Sequence, residues 1–375
     1  MLPTPLKVSR ETARRFHRRA VLLDAPVPDI GTALAHLGFV QIDPINICGR
    51  MQEHILRHRV RGYREGDLLR LLHGDGAPLP AAQRTAFEHH LADSHNLAAL
   101  PLDAWPHLLA AMQRRTRTTG AWSGKLTPRE RELAPHLLAE IAARGPLGSE
   151  DFDDDRRAHR HVWGQSSLVK STLQKLFFHG RLLIAQRHKN RRRYDLPERV
   201  LPARVRRLRE PDREDTARWL AHLKLRQRRL VTLKRNELPL VEDLVQPIAV
   251  PDCPPLFCLR DDAALLSEIQ NQGSRIEDSA APLLLAPLDP LIYDRRVTQR
   301  LWAFDYTWEV YTPPAKRKRG YYALPVLAGL EIVGHIDPMA DRKRGKLLIA
   351  ARRVRRGCRV APAVEQLAVF LGLKR

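Results

Sequence analysis

Apolar residues recur at helical spacing through the first two thirds of this chain and fall into short extended runs in the last third. Ser9 precedes a stripe of Ala13, Phe16 and Ala20 and is placed to cap that helix. Asp29 precedes a second stripe, Ile30, Leu34 and Leu37, which Gly38 stops. A short extended run, Phe39 to Asp43, leads into Pro44. Glu65 to Leu72 reads as a short helix, and residues 86–110 as a helix in two pieces broken around Pro101. Thr127, Pro128 and Glu130 make a helix start with a capping box, followed by Leu133, Leu137 and Ile141 on one face and closed by Gly145-Pro146. Ser149 is placed to cap a second helix, and Ser166 or Ser167 a third that runs to about His179.

The third helix is amphipathic in an informative way. Leu168 or Val169, Leu173, and Leu176 or Phe177 face a core. Ser167, Lys170, Ser171 and Gln174 form the opposite stripe, with side chains suited to base edges and phosphates. Lys175 is counted with them as a DNA-binding candidate. After Gly180, residues 181–202 read as two strands around a basic tip that carries Arg187, Lys189, Arg191, Arg192 and Arg193. Three helices and a basic hairpin are the order of a winged helix. The competing reading is a generic packing unit with a solvated charge run, but five cations at one tip repel one another unless a polyanion neutralises them. Residues 204–235 are helical and basic, and 228–245 can open a further winged-helix-like unit. From about residue 283, LLLAPLD, YTWEVY, GYYALPVLAG, LEIVGHIDP and the run from Lys346 are β-prone. Lys316, Arg317, Lys318 and Arg319 form a basic hairpin tip between two of these runs, and an amphipathic helix from Pro362 closes the chain.

Charge sharpens this picture. The 375 residues carry a formal net charge of +22. So dense a cationic surface recruits polyanions by attraction and counterion release. Length suggests two to four modules. The four cysteines form no CxxC pair, so neither a zinc ribbon nor a disulfide framework is expected, and reduced thiols fit better. No apolar run approaches a membrane span. The basic N-terminal stretch resembles a transit peptide in composition, but its helical pattern assigns it to the fold.

Within the extended run, Val40 and Ile42 are expected to anchor one face in the core. Gln41 and Asp43 then project together from the other, with Cβ atoms roughly 7 Å apart. An amide and a carboxylate so placed can orient a water and stabilise a cation. A strand ending in Asp before Pro is also a common turn or helix cap, and the residues alone leave both readings open.

Residues 38–46 (GFVQIDPIN), 85–106 and 283–329, continued by 333–349, resemble the YcaQ/AlkZ family of crosslink-repair DNA glycosylases, nearly end to end. The resemblance implies an α+β protein of tandem winged helix-turn-helix domains followed by a β-barrel-like C-terminal unit. With the boundaries read above, residues 1–125 form a first winged-helix-like domain, 126–203 a second with the basic wing, 204–282 a third, and 283–375 the β-rich unit with its terminal helix. The family's motif, Gln, an apolar residue, then Gln or Asp, falls on Gln41, Ile42 and Asp43, and so assigns catalysis to Gln41 and Asp43. The implied activity is monofunctional excision of N-alkylated purines, N7-alkylguanine above all, including unhooking of interstrand crosslinks, without cofactor or metal. The implied partner is duplex DNA carrying alkylated or crosslinked bases, bound by a monomer in the cytoplasm on the nucleoid. The chemistry agrees, because N7-alkylation makes guanine a cationic leaving group and leaves the enzyme to stabilise an oxocarbenium-like sugar and place a water. Relatives carry a Glu-Arg and a His soon after the motif. Here Arg50 matches, and the run Cys48 to His54 is otherwise shifted. His89, His90 and His95 lie in the second matching block, where a core or solvated role competes with a lesion-pocket one. The alternative from another class is a non-catalytic winged-helix regulator or lesion-sequestering protein, although no dimerisation element or ligand domain is evident. An RNA-binding protein fits the charge but not the wing.

Overall fold

The computed structural model describes residues 2–92, 94, 96–153, 167–188, 190–272 and 281–374. The protein is α+β, with fourteen α-helices and several small sheets among the described residues. It divides into two compact units that are not sequential. Residues 1–65 and 213–375 form one, and 66–212, lying between them in sequence, form the other. No helix among the described residues is long and apolar enough to cross a membrane.

In the discontinuous unit, the Ser9 hydroxyl accepts the Thr12 N–H at 3.0 Å and starts the helix Arg10–Ala20. Its buried face, Ala13, Phe16 and Ala20, packs in a core with Leu230, Leu291 and Trp302. Asp29 caps Ile30–Leu37 in the same way, and Gly38 stops that helix at φ +77°, where a side chain would be strained. Strand Leu6–Lys7 runs parallel to Val245–Ala249, which pairs antiparallel with Leu256–Leu259. A second sheet orders Lys346–Val354, Glu331–Asp341, Leu324–Ala328 and Leu283–Leu284, all antiparallel. Helix Ala361–Phe370 and residues Ile45, Ile47 and Cys48 pack against this sheet, so the chain leaving the Gln41–Asp43 run is seated on it. A bidentate pair joins the unit's two segments. Arg59, fully buried, donates to both oxygens of Asp289 at 2.6 and 2.9 Å and to the Val21 and Ile55 carbonyls.

Two expectations for this unit are corrected. The C-terminal sheet is open among the described residues, not a closed barrel. Its edge strand, Leu283–Leu284, pairs through two residues only, too little to bring the opposite edge round. The run YTWEVY forms no strand, and the basic segment 315–320 is no hairpin tip. Its backbone donors are taken by the carboxylate of Glu309 rather than by a neighbouring strand.

The second unit contains helices Asp67–His73, Trp105–Arg117, Pro128–Arg144 and Leu168–Phe178. The Thr127–Glu130 capping box is complete, and Leu133, Leu137 and Ile141 are buried as the stripe requires. Ser167 caps Leu168–Phe178, while Ser166 lies outside the described residues. Hairpin Leu183–His188 and Arg191–Asp195 follows, with Leu147 bridging Tyr194 through two backbone bonds as a short third edge. Residues 86–101 form an antiparallel hairpin, Ala86–His90 with Leu97–Pro101, where a helix was expected. Every residue of Ala86–His90 is buried, so this strand shows no polar face to reveal its period. After Asp195 the second wing strand gives way to a helical turn, Pro197–Val200. Only a 3-10 turn, Ser149–Asp151, stands where the second helix of the trio was expected, with Gly148 rather than Ser149 at its cap. The remainder of that helix falls outside the described residues.

Candidate active site and nucleic-acid interface

The extended run is shorter than expected and covered on both sides. Regular strand spans only Val40–Gln41. Val40 and Ile42 are buried as anchors, but Gln41 and Asp43 are also only 7% and 8% exposed. Asp43 Oδ1 accepts the Ile45 N–H at 2.8 Å, the turn that a carboxylate before Pro commonly makes. Its Oδ2 accepts no hydrogen bond among the described residues. Burial raises the carboxyl above the ordinary aspartate range, opposed in part by the Ile45 bond. Gln41 Oε1 accepts the Tyr293 hydroxyl at 3.3 Å, which orients the amide with its NH2 directed elsewhere. The Arg228 guanidinium lies 4.5 Å from the Tyr293 ring centroid and holds that ring from its face.

Helix Met51–Leu56 begins at Arg50, which is half-buried. Gln52, fully buried on this helix, accepts the Asp43 N–H through Oε1 at 3.3 Å, and its Nε2 has no acceptor among the described residues. The shifted Glu53 and His54 turn inward. Tyr63 donates to Glu53 Oε2 at 2.9 Å. His54 sits 3.7 Å from Cys48 Sγ, and burial pushes its imidazole down to about 3, so it is neutral at physiological pH.

The basic run 316–319 is built as a loop around two carboxylates. Glu309 Oε2 accepts the N–H groups of Lys318, Arg319 and Gly320 at 2.9, 2.7 and 3.3 Å. Asp337 accepts those of Tyr321 and Tyr322 at 3.0 and 2.9 Å. Burial opposes charge on Glu309, yet the three N–H donors hold its carboxyl below the usual range. Gly320 is needed here, at φ +129° with an added Cβ falling on Asp337. Lys316 and Lys318 are exposed. Arg317 packs over Tyr321 at 4.7 Å, and Arg319 bonds Asp305 and Glu309.

In the other unit the expected DNA-facing stripe divides. Lys170 is exposed on Leu168–Phe178, and Gln174 donates to the Trp122 carbonyl at 3.3 Å. Lys175 is instead buried, its amine 2.7 Å from Glu130, and Ser171 bonds the same carboxylate, so neither reaches the surface to meet a phosphate. On the hairpin, Arg191 is exposed. Arg192 lies over the Phe177 ring at 5.7 Å, and Arg193 pairs with Asp151 at 3.1 Å. These three belong to a strand rather than to the tip, and Lys189 is outside the described residues. Arg187 turns inward to Glu88, which is buried and also takes His73 Nε2 at 2.9 Å. His89 and His90 are core residues packed on Phe177 and Phe178, and His95 is not described. Among the described residues no group of three or more His, Cys, Asp or Glu is arranged to hold a metal.

Sequence reasoning did not single out Gln52, Tyr293 or the aromatic residues Trp308, Tyr311 and Tyr322. The aromatic density of 306–322 carries the signal, which strand propensity explains equally well.

Gln41 and Asp43 thus stand at an irregular strand end, with a basic surface loop in the same unit. The model of the AlkZ-like DNA glycosylase family matches residues 34–371, and the chain belongs to that family. It is therefore a DNA-repair hydrolase with DNA as its substrate. Among solved structures, the Streptomyces sahachiroi DNA glycosylase AlkZ has a similar fold, with a TM-score of 0.59 at 15% identity over 99% of this chain and 98% of that one.

Proposed function

We propose that the protein hydrolyses the N-glycosidic bond of N7-alkylguanine-type lesions, interstrand crosslinks included, with Gln41 and Asp43 as the catalytic pair. The observation that carries this reading is the state of Asp43. One oxygen is fixed by Ile45, the other is left uncommitted, and burial raises its proton affinity. As the C1′–N9 bond breaks, its electron pair returns to the alkylated ring and neutralises it, while positive charge develops on the sugar. The Asp43 anion stabilises that charge and accepts a proton from the water that attacks C1′. Gln41, oriented by Tyr293, holds the water. The hydrogen bonds to the Gln41 and Asp43 side chains among the described residues come from the Tyr293 hydroxyl and the Ile45 N–H, neither of them an amine, which supports a monofunctional enzyme rather than a lyase.

The helices Pro128–Arg144 and Leu168–Phe178 with their three-edged hairpin support a winged helix over 126–203, and tandem modules over 1–125 and 204–282 complete this reading. In one unit Lys170, Gln174, Arg191, Arg192 and Arg193, and in the other Arg50 and the 316–319 loop, are the DNA contacts of a monomer working on the nucleoid. Lys175 and Arg187 support the first set from inside.

A non-catalytic binder is the second reading, favoured by the covered faces of the run and the Ile45 bond. One experiment separates them. DNA carrying a single N7-alkylguanine is incubated with wild type and with Asp43→Asn, and abasic sites are counted. Asparagine keeps the oxygen that accepts from Ile45 and removes only the charge, so release should fall about 100- to 1000-fold with no loss of stability. Normal release by Asp43→Asn, or none by wild type, makes the motif structural.

A further inference from the structure

The segment 305–322 presents one large aromatic group that the scheme above leaves unused. Tyr311 is 70% exposed. Its ring packs edge-on against Trp308, with centroids 6.1 Å apart, and Trp308 meets Tyr322 at 6.0 Å in the same manner. Tyr322 is fully buried in the core that holds Leu284, Leu324 and Cys48. Tyr311 is thus the outer end of an aromatic column rooted in the core. The chain beside that column is pinned by Glu309 and Asp337 through five successive N–H groups. The charge of Asp43 acts on both Tyr311 and Tyr322, which puts the column within electrostatic reach of the catalytic carboxylate. Exposed Lys316 and Lys318 on the same loop offer phosphate contacts.

We propose that Tyr311 is the stacking face for the alkylated base and selects a cationic base over a neutral one. The inference rests on the N7-alkylguanine reading. A rigidly mounted aromatic ring is what a displaced base stacks on. The negative face of a phenol ring also attracts cations, by about twofold to fivefold at an exposed site and roughly thirtyfold when desolvated. N7-alkylation places a full positive charge in the imidazole ring of guanine. That charge is present in the bound substrate and vanishes as the glycosidic electron pair returns to the base. The attraction therefore strengthens binding of substrate more than of transition state, so loss of Tyr311 raises KM and kcat together, while loss of Gln41 or Asp43 lowers kcat.

The test uses the full chain and two duplexes. One carries 7-methylguanine on a 2′-fluorinated sugar, whose fluorine slows bond breakage. The other carries 7-methyl-7-deazaguanine, a neutral base of the same shape. Wild type should prefer the cationic duplex by about fivefold or more. Tyr311→Phe and Tyr311→Trp should keep the preference, and Tyr311→Leu should erase it with the melting temperature unchanged. On the unfluorinated 7-methylguanine duplex, Tyr311→Leu should raise KM by up to the same factor and raise kcat with it, leaving kcat/KM nearly constant. Retained preference in Tyr311→Leu, lost preference in Tyr311→Trp, or a fall in kcat at constant KM overturns the proposal. Should wild type release the base yet show no preference, Tyr311 alone is misassigned. Should wild type release no base, the proposed function itself fails.

Discussion

Two buried carboxylates, one in each unit, are treated in opposite ways. Glu88 is enclosed by Arg187 and His73. Burial opposes its charge, but Arg187 foremost, with His73, overcomes that and holds the carboxyl well below the ordinary glutamate range. Asp43 is nearly as covered, yet its hydrogen bonds come from a single backbone N–H, and burial prevails and raises its proton affinity. Satisfied charge makes Glu88 a brace between strand Ala86–His90 and the wing. Asp43, short of partners, is left to the catalytic role proposed for it. Burial of a carboxylate thus says little about its role until its partners are counted.

The sharpest way to break this contrast is Glu88→Ala. It strands the Arg187 guanidinium, so unfolding in denaturant should show a loss of about 3–5 kcal/mol, while base release per folded molecule stays unchanged. A loss of turnover at full stability would make Glu88 part of the chemistry instead. The signs of the two carboxylates can be read against pH. Glu88, with its folded pKa lowered from 4.5, adds stability that is complete above that value and lost as pH falls through the lowered one. Asp43, raised from 3.8, costs stability at neutral pH, and the cost disappears on acidification. The margin of wild type over Glu88→Ala and the margin of Asp43→Asn over wild type should therefore both narrow as pH falls, the first because wild type loses stability and the second because it regains it. Base release should lose its rate at a pH above 3.8, where Asp43 protonates.

Next in size is the wing. Arg191 is exposed, whereas Arg193 is committed to Asp151 and the Pro146 carbonyl. Arg191→Ala should flatten the dependence of log affinity on log salt by about 0.9, and Arg193→Ala by less, with turnover on bound DNA untouched. Equal slopes for both would mean that Arg193 leaves its partner to meet DNA. The smallest effect is Tyr293→Phe, which frees the Gln41 amide. Single-turnover release should slow about twofold to tenfold, in line with one lost hydrogen bond, and binding should not change.

Local signals were legible wherever a side chain acts on its own helix. Ser9, Asp29, Thr127 and Ser167 all cap as their spacing predicts, because capping needs only a few consecutive residues. Reading failed where distant chain decides. Ala86–His90 is covered on both faces, which erased its period. The run 306–311 is held out of a sheet by bonds from Glu309 to residues about ten positions on. In the site, Gln41 and Asp43 were visible as a pair, but Tyr293 reaches Gln41 from 252 residues away, and no spacing rule reports that. Lys175 was misjudged because Glu130, 45 residues earlier, claims its amine.

The split of the first unit around the second has a consequence for biosynthesis. As the chain leaves the ribosome, residues 1–65 emerge early with Gln41 and Asp43 in place, but Asp289, the partner that buries Arg59, is still to be made. The middle unit is continuous and can fold while its flanks wait. A nascent or truncated chain ending before residue 213 would hold the basic hairpin and its cations without the core that seats the Gln41–Asp43 run. Under the proposed function, translation order completes the DNA-binding hairpin first and the base-cleaving site last.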